Sequence, residues 1–260
     1  MSERAPQMTA DEAPMVMPAT PWEARVITLY PEMFPGPLGC SLAGRARDAD
    51  LWGLKLVQLR DYAADKHGSV DDTPAGGGPG MVLRADVVAA AIDDVCAAPR
   101  AMAEPVIYLS PRGTRLDQGR VEALAAAGGV TLICGRFEGI DERLLEAREV
   151  EELSLGDFVL SGGEPAAIAL IDAVVRLLPG VVGDAQALDE ESFCGHLLEY
   201  PQYTRPRVWE GRAIPDVLNS GHHQQIRAWR RRQAEQLTRE RRPDLWRDYL
   251  ETGRNLKAEP

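Results

Sequence analysis

Glycines at strand ends, together with a few carboxylates and arginines, are the residues of this chain whose spacing could do chemistry. The stretch SLGDFVLSGGEP, residues 154–165, reads as a strand that enters a glycine pair and then a helix. Turns of this kind often cradle phosphate, because backbone N–H groups and a helix N-terminus favour an anion. Here no Gly-Lys-Ser/Thr follows, and Glu164 sets a carboxylate in the first helical turn, which disfavours phosphate. The plain alternative is a tight turn in which Gly162 and Gly163 supply positive φ and Pro165 starts the helix. Two further segments, YLSPRG (108–113) and CGRFEGIDER (134–143), also join a strand end to small residues. Three such ends could converge on one ligand through backbone groups, which suits a neutral or zwitterionic nucleoside better than a triphosphate. None matches the G-x-G-x-x-G dinucleotide fingerprint. A fourth glycine cluster, DKHGSVDDTPAGGGPGM (65–81), is too long and polar for a simple connection, and loops of that length are usually functional or mobile.

The elements that must position these segments alternate in type. Short β-rich runs, RVITLY, LKLVQLR, PVIYLS and VTLICG, are interleaved with helical patterns at PLGCSLAGRARDA, ADVVAAAIDDVCAA and QGRVEALAAA. DERLLEAR adds a short helical piece, and EPAAIALIDAVVRLL an apolar helix ending at Pro179-Gly180. The alternation predicts an α/β fold with a mostly parallel sheet covered on both faces, whose ligands gather outside the carboxyl ends of the strands. Residues 1–22 lack periodicity and read as a disordered extension; 23–180 form the α/β domain. Residues 181–200, with Asp189, Glu190, Glu191 and Glu199, read as an interdomain linker, and 201–260 as a small all-helical domain.

The net charge of −11 over 260 residues argues at first against nucleic acid. The charge is unevenly spread, however: residues 201–260 hold thirteen Lys and Arg against eight Asp and Glu, leaving sixteen against thirty-two upstream. Within the tail, Arg227, Arg230, Arg231, Arg232, Arg239, Arg241 and Arg242 fall on one expected helix with Trp229 and Trp246. It is either a solvated helix with internal ion pairs or a nucleic-acid surface. The cysteines, Cys40, Cys96, Cys134 and Cys194, show no CxxC pair, so no metal site is expected and buried thiols are. No apolar run is long enough for a membrane span or a signal peptide, and a cytoplasmic location is expected.

The same segments, followed by LLEYPQYTRP and VLNSGHH…IRAWRRRQ, stand in the order and spacing of the bacterial tRNA (guanine-N1)-methyltransferases, and the chain resembles that family from about residue 24 to 247. The resemblance implies a SPOUT-class fold whose α/β domain ends in a deep trefoil knot around S-adenosyl-L-methionine, an exception to the rule against threaded connections. It also implies a homodimer with each active site shared between chains, no membrane, and methylation of N1 of the guanine at tRNA position 37. Carried over by position, the cofactor would lie against Tyr108, Leu109, Ser110, Pro111, Gly135, Ser154, Leu155, Gly156, Asp157, Phe158, Val159 and Leu160. Gly162 and Gly163 would close the turn, and Glu138 would face the cofactor's charged end.

Guanine N1 carries a proton in the neutral base, so it becomes nucleophilic only when a carboxylate takes that proton as the methyl group arrives. A cation beside O6 would stabilise the resulting charge. The family pattern puts the base on Glu191, where many members carry Asp, with Asp189 or Glu190 as alternatives, and the essential arginine on Arg176. Arg176 also stands at a helix C-terminus, where the dipole alone would favour it. Glu199, His222 and Arg230, Arg231 and Arg232 are the implied tRNA contacts, and His67 belongs to the 65–81 loop. Gly68 and Ala75 stand where the family more often has a basic and an aromatic residue. Two rival readings are another SPOUT RNA methyltransferase, acting on ribose 2′-OH or rRNA, and a non-catalytic RNA-binding protein on the same fold.

Overall fold

The computed structural model describes residues 21–97, 104–183 and 186–255, and the chain divides into two compact units, 1–183 and 184–260. The expected extension of residues 1–22 lies almost wholly outside the described residues.

In the first unit, strand β1 (Trp22–Thr28) leads through two 3-10 turns to helix α1 (Ser41–Asp48) and strand β2 (Trp52–Gln58). A short antiparallel pair, β3 (Asp71–Asp72) and β4 (Val82–Leu83), lies in the glycine-rich loop and precedes helix α2 (Ala85–Ala97). Strand β5 (Val106–Arg115), helix α3 (Gln118–Ala126), strand β6 (Gly129–Cys134), helix α4 (Glu142–Ala147), strand β7 (Glu151–Ser154) and helix α5 (Glu164–Val175) complete it. The sheet is parallel, with the order β2-β1-β6-β5-β7.

Period-two alternation sorts the strand residues between two cores. Ala24, Val26, Ile107, Leu109, Val130 and Leu132 pack in the cluster that contains α1, α3 and α5 residues; Ile27, Tyr108 and Ile133 pack in the cluster with α2 and α4. With both faces covered, β6 is buried at every position, as parallel strands usually are. Helix α5 buries Ala166, Ala167, Leu170, Ile171, Val174 and Val175 against the first cluster, and each larger aliphatic side chain so buried contributes about 1.5–3 kcal/mol. Helix starts are fixed locally: Asp117 accepts the Arg120 N–H at 2.9 Å, Asp141 accepts that of Arg143 at 3.1 Å, and Pro165 occupies the first turn of α5.

Several local expectations need correction. The run 37–49 is a 3-10 turn and then α1, broken at Cys40–Ser41, where Ser41 takes φ +53°. β7 ends at Ser154, so residues 155–163 form an irregular turn. Only Cys134 is a buried thiol: Cys96 is half-buried, and Cys40 and Cys194 are exposed.

The second unit contains helix α6 (Gln186–Asp189), a hairpin of β8 (Val208–Trp209) and β9 (Arg212–Ala213), helix α7 (His223–Arg241) and helix α8 (Pro243–Asn255). The hairpin departs from an all-helical expectation; Gly211 supplies the positive φ its turn requires. The arginine-rich run is also two helices rather than one, because Pro243 has no N–H to continue α7 and starts α8 instead. Across the junction Arg242 binds Asp244, and the Arg239 guanidinium covers Trp246 at 4.8 Å.

Candidate functional site

β6, β5 and β7 are neighbours in the sheet, and their carboxyl ends bring three glycine-bearing segments together. β5 shifts register against β7 between Leu109 and Thr114, which throws Ser110–Gly113 out of the ladder. Gly113 then lies directly against the Glu152–Leu153 backbone, where a Cβ would not fit. Bulges of this kind re-aim the chain beside a site. Gly135, next after β6, lies on the Tyr108 ring, and a Cβ there would stand 2.5 Å from Tyr108 Cε2. After β7 the chain folds back as the Ser154 hydroxyl accepts the Gly156 N–H at 3.2 Å and donates to the Gly156 carbonyl at 3.1 Å.

These ends wall a cavity of about 320 Å³. Every residue expected to bind the cofactor lines it except Asp157, whose side chain is exposed on the turn. Phe158, Val159 and Leu160 are 54%, 82% and 39% exposed, and with Phe137 they give the rim an apolar surface. Burial pushes the Tyr108 phenol up, opposed by Arg112. Burial, and then nearby Glu164, pushes the Cys134 thiol well above its usual range. Both groups are held neutral, Tyr108 in the cavity wall and Cys134 in the core just before Gly135.

Neither Gly162 nor Gly163 adopts positive φ, contrary to the expectation of a turn that needs it. Their lack of a side chain is used for space: a Cβ on Gly163 would lie 2.7 Å from Cys134 Cα, and one on Gly162 would lie 2.5 Å from Arg136 Cζ. Glu164 is also not where an anion would sit. It is fully buried, accepts the Thr28 hydroxyl at 2.7 Å and pairs with Arg136 at 2.8 Å. Arg112, within YLSPRG, and Arg136 and Phe137, within CGRFEGIDER, also line the cavity, and the sequence gives no separate signal for them.

The 65–83 loop is tied to this site through the backbone. Glu138 N–H donates to Met81 O at 2.9 Å, Leu83 N–H to Gly139 O at 2.9 Å, and Asp141 N–H to Leu83 O at 3.1 Å. His67 is exposed in that loop. Arg176 is half-buried at the C-cap of α5, with its N–H on Asp172 O.

The remaining candidates lie in the second unit. Glu191 follows α6, half-buried, in a turn closed by Cys194 N–H on its carbonyl at 3.2 Å. Its neighbour Glu190 is engaged: it accepts the Tyr200 hydroxyl at 2.7 Å and pairs with Arg230 at 3.2 Å, whose guanidinium covers the Tyr200 ring at 4.7 Å. Burial and that hydrogen bond to Glu190 raise the Tyr200 phenol. Glu199 is brought beside the same turn, its N–H on Ser192 Oγ at 3.1 Å, and it accepts from Gln202 at 2.6 Å. His222 caps α7 and is exposed. Of the three arginines, Arg230 is committed to Glu190 and Arg231 binds Glu235 and Tyr249, whereas Arg232 is exposed and makes no ion pair among the described residues. No His, Cys, Asp and Glu cluster able to hold a metal occurs among the described residues, and no described helix is long and apolar enough to cross a membrane.

A parallel sheet covered on both faces, with a cavity walled by the carboxyl ends of adjacent strands, defines an α/β protein of the kind that grips a small organic ligand at its strand ends. Its sequence narrows this class. The chain belongs to the tRNA (Guanine-1)-methyltransferase TrmD family, whose pattern it matches over residues 23–248. It is 63% identical to a tRNA (guanine-N(1)-)-methyltransferase of Mesorhizobium japonicum over 224 residues, 86% of this chain and 96% of that one. Proteins of the same description from Bartonella henselae and Rhodopseudomonas palustris are 61% and 64% identical, over 88% and 86% of this chain and 96% and 90% of theirs.

Proposed function

We propose that this tRNA (guanine-N1)-methyltransferase acts on the guanine at position 37, beside the anticodon, with S-adenosyl-L-methionine as methyl donor. The observation that carries the reading is the convergence of the three glycine-bearing strand ends on one cavity. The residues present fit that donor. Gly135 and Gly163 let the strand ends pack directly on Tyr108 and on the Cys134 backbone and so shape the cavity, backbone groups are available to an adenine, and Leu109, Leu155 and Leu160 offer apolar flanks. Glu138 supplies a carboxylate for the ammonium end. When bound, the donor supplies an electrophilic methyl group.

Glu191 acts as general base and takes the N1 proton of guanine, so that the N1 electron pair is free to form the new N–CH₃ bond. Arg176 stabilises the negative charge that deprotonation leaves on O6. Because the N1 edge is otherwise stacked in the anticodon loop, the target base is flipped out to react. The second unit, with Arg232, Glu199 and His222, holds the tRNA, its arginines engaging phosphates.

We assign residues 23–180 to a knotted SPOUT domain, 181–200 to a linker and 201–260 to a tRNA-binding domain. The close stacking of segments 135–136 and 161–163 is what a chain threaded at this point requires. We further propose a cytoplasmic homodimer with shared active sites, for which the exposed apolar rim at Phe137 and Phe158–Leu160 is the supporting feature. The test incubates the full chain with methyl-labelled donor and tRNA transcripts that carry or lack guanine at position 37, then maps the label. Label at N1 of guanine 37 is expected. Label on a ribose or on another guanine would overturn the assignment, and its absence from every transcript would favour a non-catalytic RNA-binding protein.

A further inference from the structure

Beneath the turn that closes the cavity runs a buried ionic chain whose residues have no assigned role. Arg136 leaves the end of β6 and passes under Gly162 so closely that a Cβ there would lie 2.5 Å from its Cζ, and the guanidinium would have to move aside. Its Nη1 donates to the Ser161 carbonyl at 3.2 Å, its Nη2 lies 2.8 Å from Glu164 Oε2, and its guanidinium covers the Tyr30 ring at 4.4 Å. Glu164, with no exposed surface, accepts the Thr28 hydroxyl at 2.7 Å; Thr28 Oγ1 in turn accepts the Tyr30 N–H at 3.0 Å. The chain therefore links the end of β1, the start of α5 and the end of β6 to the backbone of residues 161–162, which is itself cavity wall.

Stability alone is a poor reason for such a chain. A buried ion pair costs desolvation that its attraction barely repays, and apolar replacements of similar volume are often neutral or stabilising. What the pair supplies is direction. A guanidinium is a fixed planar fork, so the Glu164 charge that attracts Nη2 also biases where Nη1 meets the Ser161 carbonyl. We propose that Arg136 and Glu164 are positioning residues for methyl transfer: they hold the 161–163 turn in the shape that binds the donor, and Gly162 is glycine so that Arg136 can pass beneath it. This rests on the cavity being the donor site.

The test compares full-length native protein with the apolar pair replacement Arg136→Met/Glu164→Leu, and with Arg136→Lys, Gly162→Ala and Gly162→Ala/Arg136→Met. Donor affinity is read by calorimetry, the two KM values and kcat by methyl transfer, and folding by thermal melts. The apolar pair should melt close to native, yet its donor Kd and KM should rise by about tenfold or more, with the tRNA KM changed by less than about twofold. Arg136→Lys keeps a cation but loses the fork, so its donor KM should also rise; this single exchange decides the matter if the apolar pair fails to fold. Gly162→Ala should weaken donor binding less in the Arg136→Met background than in the native one, since the collision partner is gone. Native-like donor affinity in the folded apolar pair, an unchanged donor KM in Arg136→Lys, or independent effects of Gly162→Ala and Arg136→Met would each overturn the assignment. If the native protein itself bound no donor, the reading of the cavity would fall first, and that result is visible without any variant.

Discussion

Gly163→Ala is the most incisive single perturbation of the candidate site. The added Cβ would stand 2.7 Å from Cys134 Cα and 3.1 Å from Gly135 N, both backbone atoms of the end of β6 that have no rotamer to change. To regain a carbon–carbon contact of about 3.5 Å, the turn must retreat by roughly 0.8 Å. That movement also stretches the 3.0 Å hydrogen bond from Gly163 N–H to Gly135 O. Overpacking of this size costs about 1–3 kcal/mol, which for a chain of this length lowers Tm by roughly 2–10 °C. The functional cost is larger, because a displacement near 1 Å in a positioning element can cost on the order of 100-fold in kcat/KM. Gly183→Ala is the matched control: no described residue lies within 4 Å of its Cβ position and its φ is not in the positive range, so it should stay within about 0.5 kcal/mol of native. Donor affinity by calorimetry and Tm by thermal melting check both. If Gly163→Ala bound the donor within about twofold of native and melted with it, close backbone approach could not be what shapes this cavity.

Glu191→Gln should cut single-turnover methyl transfer by about 10²–10⁴-fold with donor affinity unchanged, while Glu190→Gln, which loosens Tyr200 and Arg230, should act mainly on the melting of the second unit; equal losses of rate would refute the assignment of the base. Arg232→Ala should lower the slope of log affinity for tRNA against log salt by about one, and Arg231→Ala, whose cation is already shared with Glu235 and Tyr249, by less. Cys40 and Cys194 should be alkylated in the native protein at mildly alkaline pH, whereas Cys134, buried with its thiol pushed up, should react only on unfolding, as mass spectrometry would report. Asp65, Asp86, Asp93, Asp141 and Asp244 all have carboxyls held below their ordinary 3.8 by hydrogen bonds to Ser69 or arginine, Asp244 at about 2. Their stabilisation is therefore present above pH 3.8 and lost as pH falls below it; a Tm that rose on acidification from pH 5 to pH 2 would contradict this.

The strand–helix alternation and the convergence of strand ends were legible because both depend on short-range patterns: period-two burial in strands, apolar helix faces, and small residues where the chain turns. The reasons behind individual glycines were not legible. A glycine pair before a helix suggests φ, yet Gly162 and Gly163 are set by what approaches them from Cys134 and Arg136, distant in sequence. Glu164 misleads in the same way. At a helix N-terminus a carboxylate reads as a repelling group at an anion site, and only the fold brings Thr28 and Arg136 to bury and pair it. Pro243, by contrast, announces a break in the arginine-rich run to anyone who weighs it above the charge pattern.

The glycine-rich loop shows how one segment can be both anchored and adaptable. At its base, Met81 and Leu83 exchange backbone hydrogen bonds with Glu138, Gly139 and Asp141, and Arg84 N–H reaches Val70 O at 2.9 Å. Gly80, at φ +85°, sits so close to Glu138 that a Cβ would lie 2.5 Å from Glu138 Cγ. At its tip, Gly76, Gly77 and Gly78 all hold positive φ, with no described residue within 4 Å of their Cβ positions. Gly80 at the base is therefore constrained by contact and backbone conformation together, and the tip glycines by backbone conformation alone. A side chain at Gly80 would push the Glu138 side chain aside, whereas no described residue packs against the tip glycines. Contacts are concentrated where the loop touches the cavity, and its glycine tip stands clear of them.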